Sequence, residues 1–256
     1  MFPSHDRTGG YGDSFSFKIE PRDLFIVSQA GNMLRKAQIQ RQFRGQVNIV
    51  PENHQVTAGV DLYRMLANEE SLARFSAKVL RSIVAEMEKN AYDVFDAAMG
   101  ALSSTSGTTQ LRLTAWDDIN AVKLAQKVQA WNGNAPVILA GTKAALAEVL
   151  PTNDVNYRYS LESDYVRLGY VKMFKGMQIV EMPQIANYRT EFDVVLNDDR
   201  LYLLSPTADK LVRVCIEGST MSHADDMFAN ADLQQTVTFW LRWRIVTGKH
   251  EPICLL

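Results

Sequence analysis

Apolar and polar residues alternate strictly over Ser14-Phe15-Ser16-Phe17-Lys18-Ile19-Glu20. That period predicts a strand, because a strand turns successive side chains to opposite faces. Pro21 interrupts the run, and Leu24-Phe25-Ile26-Val27 resumes it. A polar segment holding Gly31 and Asn32 follows, and Val47-Asn48-Ile49-Val50 alternates again before Pro51. Two extended runs around a polar middle predict a long hairpin over Phe15–Val50. Its apolar residues are too sparse for a core of its own, and a two-stranded ribbon is marginal alone in water. The ribbon must therefore lie on its own domain or on a neighbouring subunit. Residues 1–13, rich in Gly, Ser and charge, read as a flexible arm.

The period then changes to three and four. Leu72, Phe75, Val79, Ile83, Met87, Ala91, Val94 and Ala98 trace one face of an amphipathic helix running to about Gly100. Asn68 is placed to cap it, and Glu69 and Glu70 suit the positive end of its dipole. At 1.5 Å per residue the rod is roughly 45–50 Å long. Such a length braces an extended subunit or packs in a bundle.

Ser103–Thr109 reads as a small polar linker. Thr114-x-x-Asp117 fits a capping box opening a helix through Trp131 that stops at Gly133. Pro136-Val137-Ile138-Leu139-Ala140 is a short apolar strand, and Thr142 caps a further helix that ends before Pro151. Helix, strand, helix in that order predicts a mixed α/β domain. The last hundred residues are mostly strand-like. Met177–Val180 is one candidate, and Phe192–Leu196 and Leu201–Leu204 flank Asn197-Asp198-Asp199-Arg200 as a predicted hairpin. Leu211–Ile216 follows, Ser219–Ala231 reads as a polar loop, and Thr236–Val246 alternates most cleanly of all.

Composition narrows the classes. A chain of 256 residues with 46% hydrophobic residues can build a sizeable core as one or two domains. The formal net charge of -2 lacks the basic excess of a nucleic-acid binder. Cys215 and Cys254 form no metal-type pair, which favours a reducing compartment. No apolar run reaches the roughly 18 residues needed to span a bilayer, and the first residues do not resemble a signal peptide, so a soluble, intracellular product is expected.

A search for chemistry returns little. His5, His54, His223 and His250 are scattered, and none sits in a metal-binding motif. Gly248-Lys249 lacks the first glycine and the hydroxyl of a phosphate loop. Asp117-Asp118, Asp198-Asp199 and Asp225-Asp226 are acidic pairs, and the first two have local reasons at a helix start and a turn. The charge anomaly is Arg35, Lys36, Arg41 and Arg44, with no acid between Gly31 and Pro51. It is open to three readings: a nucleic-acid contact with Phe43 to stack, a contact to an acidic face of a neighbouring subunit, or a solvated loop. No catalytic, cofactor-binding or metal residue is assigned, and an enzyme is not expected.

The ordered sum of these elements resembles the major capsid proteins of tailed bacteriophages, the fold named after phage Hong Kong 97. Phrases that carry the likeness are Trp116-Asp117-Asp118, Ala135 through Thr142, Gly176-Met177-Gln178-Ile179-Val180, and Ile216-Glu217-Gly218 before a polar loop and the long Thr236–Val246 strand. The resemblance covers about residues 14–248. It implies an α+β capsid fold with an extended N-terminal hairpin loop, a long spine helix, a peripheral sheet and a mixed α/β axial domain. The implied division is an arm over 1–13, the extension loop over 14–67, the spine helix and peripheral domain over 68–113, with Gln110–Leu113 beginning the peripheral strands. The axial domain follows over 114–232 and a return strand over 233–256.

The resemblance further implies a structural subunit that assembles with itself into hexamers and pentamers of an icosahedral shell around double-stranded DNA, a non-specific internal neighbour. Scaffold, portal and decoration proteins are the other expected partners; no membrane and no cofactor is. Assembly in the host cytoplasm and residence in the virion follow. Arg35, Lys36, Arg41 and Arg44 would then touch an adjacent subunit. The chain begins close to the extension loop, where many family members carry an earlier scaffold-like region; processing, shortening or a separate scaffold protein would each account for that. No Lys and Asn pair for covalent cross-linking is identified. Three competitors remain: an encapsulin-like compartment shell, an α/β enzyme or ligand-binding protein with an appended hairpin, and a nucleic-acid-binding module using the basic hairpin.

Overall fold

The computed structural model describes residues 4–19, 25, 27, 39–42, 45–61, 63–64, 67, 72–102, 104, 110–149, 165–188, 190, 192–205, 212–225, 234–247 and 254–255. In chain order the strands are β1 (Ser4–Gly9), β2 (Phe15–Ile19), β3 (Gly45–Ile49), β4 (Glu52–Asp61), β5 (Ile138–Gly141), β6 (Met173–Phe174), β7 (Met177–Glu181), β8 (Leu201–Leu204), β9 (Val212–Ala224), β10 (Gln234–Thr247) and β11 (Cys254–Leu255). The helices are α1 (Leu72–Gly100), α2 (Asp118–Trp131) and α3 (Lys143–Ala147). One sheet has the order β1-β9-β10-β4, a second has β11-β8-β5-β7-β6, and β2 pairs with β3.

The central strands β5 and β8 of the five-stranded sheet are buried on both faces, which is why they are apolar at every position, whereas β6 and β7 leave one face open. Leu139, Leu201, Leu203, Met177 and Ile179 face a core shared with α2 and α3. Ala140, Tyr202 and Leu204, one residue out of phase, face a second core shared with α1 and the four-stranded sheet. In the four-stranded sheet, Phe239, Leu241, Trp243 and Ile245 turn toward α1, as their alternation predicts.

Helix α1 joins the two sheets through a row that winds. Val79, Ile83, Phe95 and Met99 are buried, with Met87 and Ala91 partly so, a strict step of four residues. Four residues exceed one turn, so each step rotates the row by about 40°, and five steps carry it about 200° around the axis. The two halves of the rod thereby bury different sides. Ile83 shares a cavity wall with Val56 and Trp243 of the four-stranded sheet, whereas the Phe95 ring meets Tyr202 of β8 at 5.0 Å. The stripe read from sequence moved to Val94 and Ala98 instead; the observed row keeps to Phe95 and Met99, and Tyr92 is buried beside it.

Several other expectations are corrected. Ser4–Gly9 is a strand rather than a flexible arm: it pairs in parallel with β9, from Ser4 opposite Val212 to Gly9 opposite Glu217. β9 does not stop at Ile216 but runs to Ala224, carried through polar residues by its ladder with β10. β4 was not anticipated, and all ten of its residues pair with β10. Phe192–Leu196 is no hairpin arm: only the bridge Ala186–Val194 forms there, and β8 pairs with β5 and β11. Gln110–Leu113 holds no named strand, and Leu111 and Leu113 pack on the α2–α3 core. The cap of α2 is Asp117, whose carboxylate accepts from the Ile119 amide, not Thr114. Thr142 does cap α3, accepting from the Ala145 amide at 3.4 Å. Asn68, Glu69 and Glu70 lie outside the described residues.

Candidate functional site

Arg41 is exposed, and Arg35, Lys36 and Arg44 lie outside the described residues. The structure instead builds the paired strands β2 and β3, the root of the segment between them. β2 and β3 pair from Phe15 opposite Ile49 to Ile19 opposite Gly45. Phe15, Phe17 and Ile49 are buried with Cys215, and Val246 packs against them. Alternation along β9 puts Arg213, Cys215 and Glu217 on the face opposite α1, and the Arg213 guanidinium lies 4.8 Å from the Phe17 ring centre. The root thus borrows its core from its own four-stranded sheet.

Polar contacts clamp that root. Glu217 is only 3% exposed, and its carboxylate accepts from the Gly12 amide at 2.7 Å and meets Arg242 at 2.9 Å. Arg242 also donates to the Pro51 carbonyl at 3.2 Å, and Arg244 holds Glu52 at 3.1 Å. These arginines secure the corner between β3 and β4. The Tyr11 hydroxyl donates to the Ser219 carbonyl at 2.7 Å while its ring covers Gly218. Gly218 has φ +70°, and a Cβ there would stand 2.3 Å from the Tyr11 ring, so backbone conformation and space both require glycine.

A second polar cluster ties α1 to β8. Arg200 and Tyr202 both donate to Asp96, the latter at 2.9 Å. The Tyr92 and Tyr202 hydroxyls are 3.2 Å apart, and the Asn197 amide donates to Tyr92 at 2.8 Å. Burial, then the Tyr92 hydrogen bond and the Asp96 charge, push the Tyr202 phenol far above its ordinary range. It stays protonated and serves as a donor, a structural role.

The two histidines whose side chains are described, His54 and His223, make separate local contacts. His54 stacks on Trp243 with ring centres 3.7 Å apart, and His223 meets Asp225 at 3.2 Å. Among the described residues, no group of three His, Cys, Asp or Glu could hold a metal, and no helix is long and apolar enough to cross a membrane.

Two open recesses mark the surface. One, of about 290 Å³, lies between α1, β4 and residues 186–188, with His54 and Trp243 in its wall. The other, of about 540 Å³, is walled by Leu113, Trp116, Val149 and Leu201 with Arg112 and Arg200 beside them. Between β7 and β8 a loop is drawn tight by Asp193. Its carboxylate accepts from the Asn187 amide group, the Thr190 hydroxyl and the Val194 amide at 2.9–3.1 Å, and these bonds lower its pKa. That loop holds Tyr188 and Phe192 out in solvent, at 78% and 105% exposure. The sequence reading missed it; Asn187, Thr190 and Asp193 interleaved with Tyr188 and Phe192 were the available signal.

No family model matches the chain, and no curated protein matches it by sequence. Solved structures do. The mature capsid of bacteriophage PhiM1 superposes with a TM-score of 0.61 at 10% identity, covering 98% of this chain and 84% of that one. The capsid of cyanophage P-SCSP1u gives 0.62 at 12% identity, over 99% and 85%. The virus-like particle from Pyrococcus furiosus gives 0.53 at 13% identity, over 99% and 89%. At such identities the likeness is one of fold, and over nearly its whole length the chain has the α+β fold of phage capsid shell proteins.

Proposed function

We propose that this chain is the major capsid protein of a tailed phage, a structural subunit that assembles with itself into the hexamers and pentamers of an icosahedral shell around double-stranded DNA. The observation that carries the reading is the match of nearly the whole chain to phage capsid structures that are themselves matched over more than four fifths of their length. The clamped hairpin root supports the further proposal that the segment carrying Arg35, Lys36, Arg41 and Arg44 reaches an adjacent subunit. A near-balanced charge suits a container wall, since tight phosphate contacts would hinder packaging and release of a genome. Scaffold, portal and decoration proteins are its proposed assembly partners, the host cytoplasm its place of assembly and the virion its final location.

Negative-stain electron microscopy of the protein expressed alone and with its flanking genes tests this. Closed shells or rings of five and six are expected; a uniform monomer or dimer in both preparations overturns it. A second reading, a compartment shell without a phage genome, is favoured by the likeness to the Pyrococcus furiosus virus-like particle. Absorbance of purified shells separates the two: nucleic acid inside indicates a phage head, and protein cargo a compartment.

A further inference from the structure

The ribbon of β2 and β3 joins the rest of the chain through two connections, residues 10–14 into β2 and residues 50–51 out of β3. One ion pair grips both. Glu217 on β9 and Arg242 on β10 stand opposite each other in the ladder. The Glu217 Oε1 accepts from the Gly12 amide at 2.7 Å on the first connection, and its Oε2 meets the Arg242 Nη1 at 2.9 Å. The Arg242 Nη2 then donates to the Pro51 carbonyl at 3.2 Å on the second connection. Gly12, Glu217, Arg242 and Pro51 thus form a continuous relay across the foot of the ribbon. Arg244, two residues along β10, adds a bond to the Val50 carbonyl at 3.4 Å.

The backbone beside the relay departs from a regular ladder. Trp240 faces Met221, so Gly218, Ser219 and Thr220 bulge out against Leu241. A bulge re-aims the side chains next to it. Tyr11, on the first connection, covers the bulge at Gly218 and donates to the Ser219 carbonyl.

Holding the ribbon and aiming it are separate tasks. The contacts of Phe15, Phe17 and Ile49 with Cys215 and Val246 keep it on the sheet. Apolar burial is non-directional, so that contact alone leaves the ribbon free to pivot. Charge-assisted hydrogen bonds have a preferred geometry and remove that freedom. Glu217 is buried, and a buried ion pair is weak evidence of stability, since apolar residues in its place often serve stability as well or better. What the pair contributes is a defined direction.

We propose that Glu217 and Arg242 are positioning residues for assembly: their relay fixes the angle at which β2 and β3 leave the four-stranded sheet, and so where the segment between them meets an adjacent subunit. The assembly role rests on the shell reading.

Electron–electron double resonance on subunits held below their assembly concentration tests the angle. Nitroxides are placed at Gln46→Cys on β3 and Glu88→Cys on α1, both exposed, in a Cys254→Ser background; Cys215 is buried. The parent is expected to give one narrow distance. Glu217→Gln and Arg242→Gln are each expected to widen it about twofold, while hydrogen exchange of the β2 and β3 amides stays within about threefold of the parent. An unchanged width in both variants overturns the proposal. Widening with loss of β2–β3 protection also overturns it, because the pair would then hold the ribbon together rather than aim it. In assembly, both variants are expected to lower the yield of closed shells about tenfold; shells at the parent's yield and size overturn the assembly role and leave the shell reading standing. A parent chain that stays monomeric in every preparation overturns the shell reading and the assembly role together, and the distance widths still decide whether the relay sets the angle.

Discussion

Replacing Asp96 with alanine cuts the tie between α1 and β8, and its cost can be worked from the contacts. Tyr202 is fully buried and donates to Asp96; the variant removes that charged acceptor and leaves the hydroxyl only Tyr92, 3.2 Å away, a loss of about 1–3 kcal/mol. Arg200 keeps 29% of its side chain exposed and can turn to water, so its lost ion pair adds no more than about 1 kcal/mol. The total is about 1–4 kcal/mol. Urea unfolding of subunits held below their assembly concentration measures it. With a slope of about 2–3 kcal/mol per molar for a chain of this size, the midpoint falls by roughly 1 M. Asp96→Asn keeps an oxygen for Tyr202 and is expected to lose only about half as much. Tyr202→Phe supplies the second arm of a double-mutant cycle, in which Asp96→Ala costs about 1–2 kcal/mol less than it does alone. Additivity within 0.5 kcal/mol, or equal losses for Asn and Ala, would refute the claim that Asp96 acts through the buried phenol.

Three further outcomes are expected. Glu217→Gln weakens the clamp on the Gly12 amide, and hydrogen exchange there accelerates about tenfold, the equivalent of about 1.4 kcal/mol; unchanged exchange would count against the clamp. Gly218→Ala forces both a left-handed alanine and a clash with Tyr11, and loses about 2–3 kcal/mol by denaturant titration, of which Tyr11→Ala returns only the clash. Asp193 titrates below its ordinary 3.8 because Asn187, Thr190 and the Val194 amide hold its charged form. A depressed native pKa means that its contribution is complete above the ordinary value and disappears as pH falls through the native one. The Val194 amide should therefore titrate in nuclear magnetic resonance with a midpoint below 3.8, and a midpoint at or above that value contradicts the pinned loop.

The parts of this protein that the sequence determined are those whose signal is local. The alternation of β2, β3 and β10 and the apolar run of β5 repeat within a few residues, so period alone identifies them, and α1 declares itself by its length. The ordered sum was enough to point to the capsid fold before any coordinates. Tertiary structure decided what depends on a distant partner. β1 is a strand because β9, two hundred residues later, completes its hydrogen bonds, and the polar end of β9 is a strand because β10 lies beside it. The winding of the buried row on α1 follows from two sheets that meet the rod on different sides, which no single helical wheel contains. Glu217 and Arg242 read as ordinary surface charges until folding brings Gly12 and Pro51 to them. Phe192 is the reverse case. Its neighbours Asn187, Thr190 and Asp193 are local and legible, but that the loop holds the ring away from every core is a property of the packed molecule, because only packing settles which apolar residues are left outside.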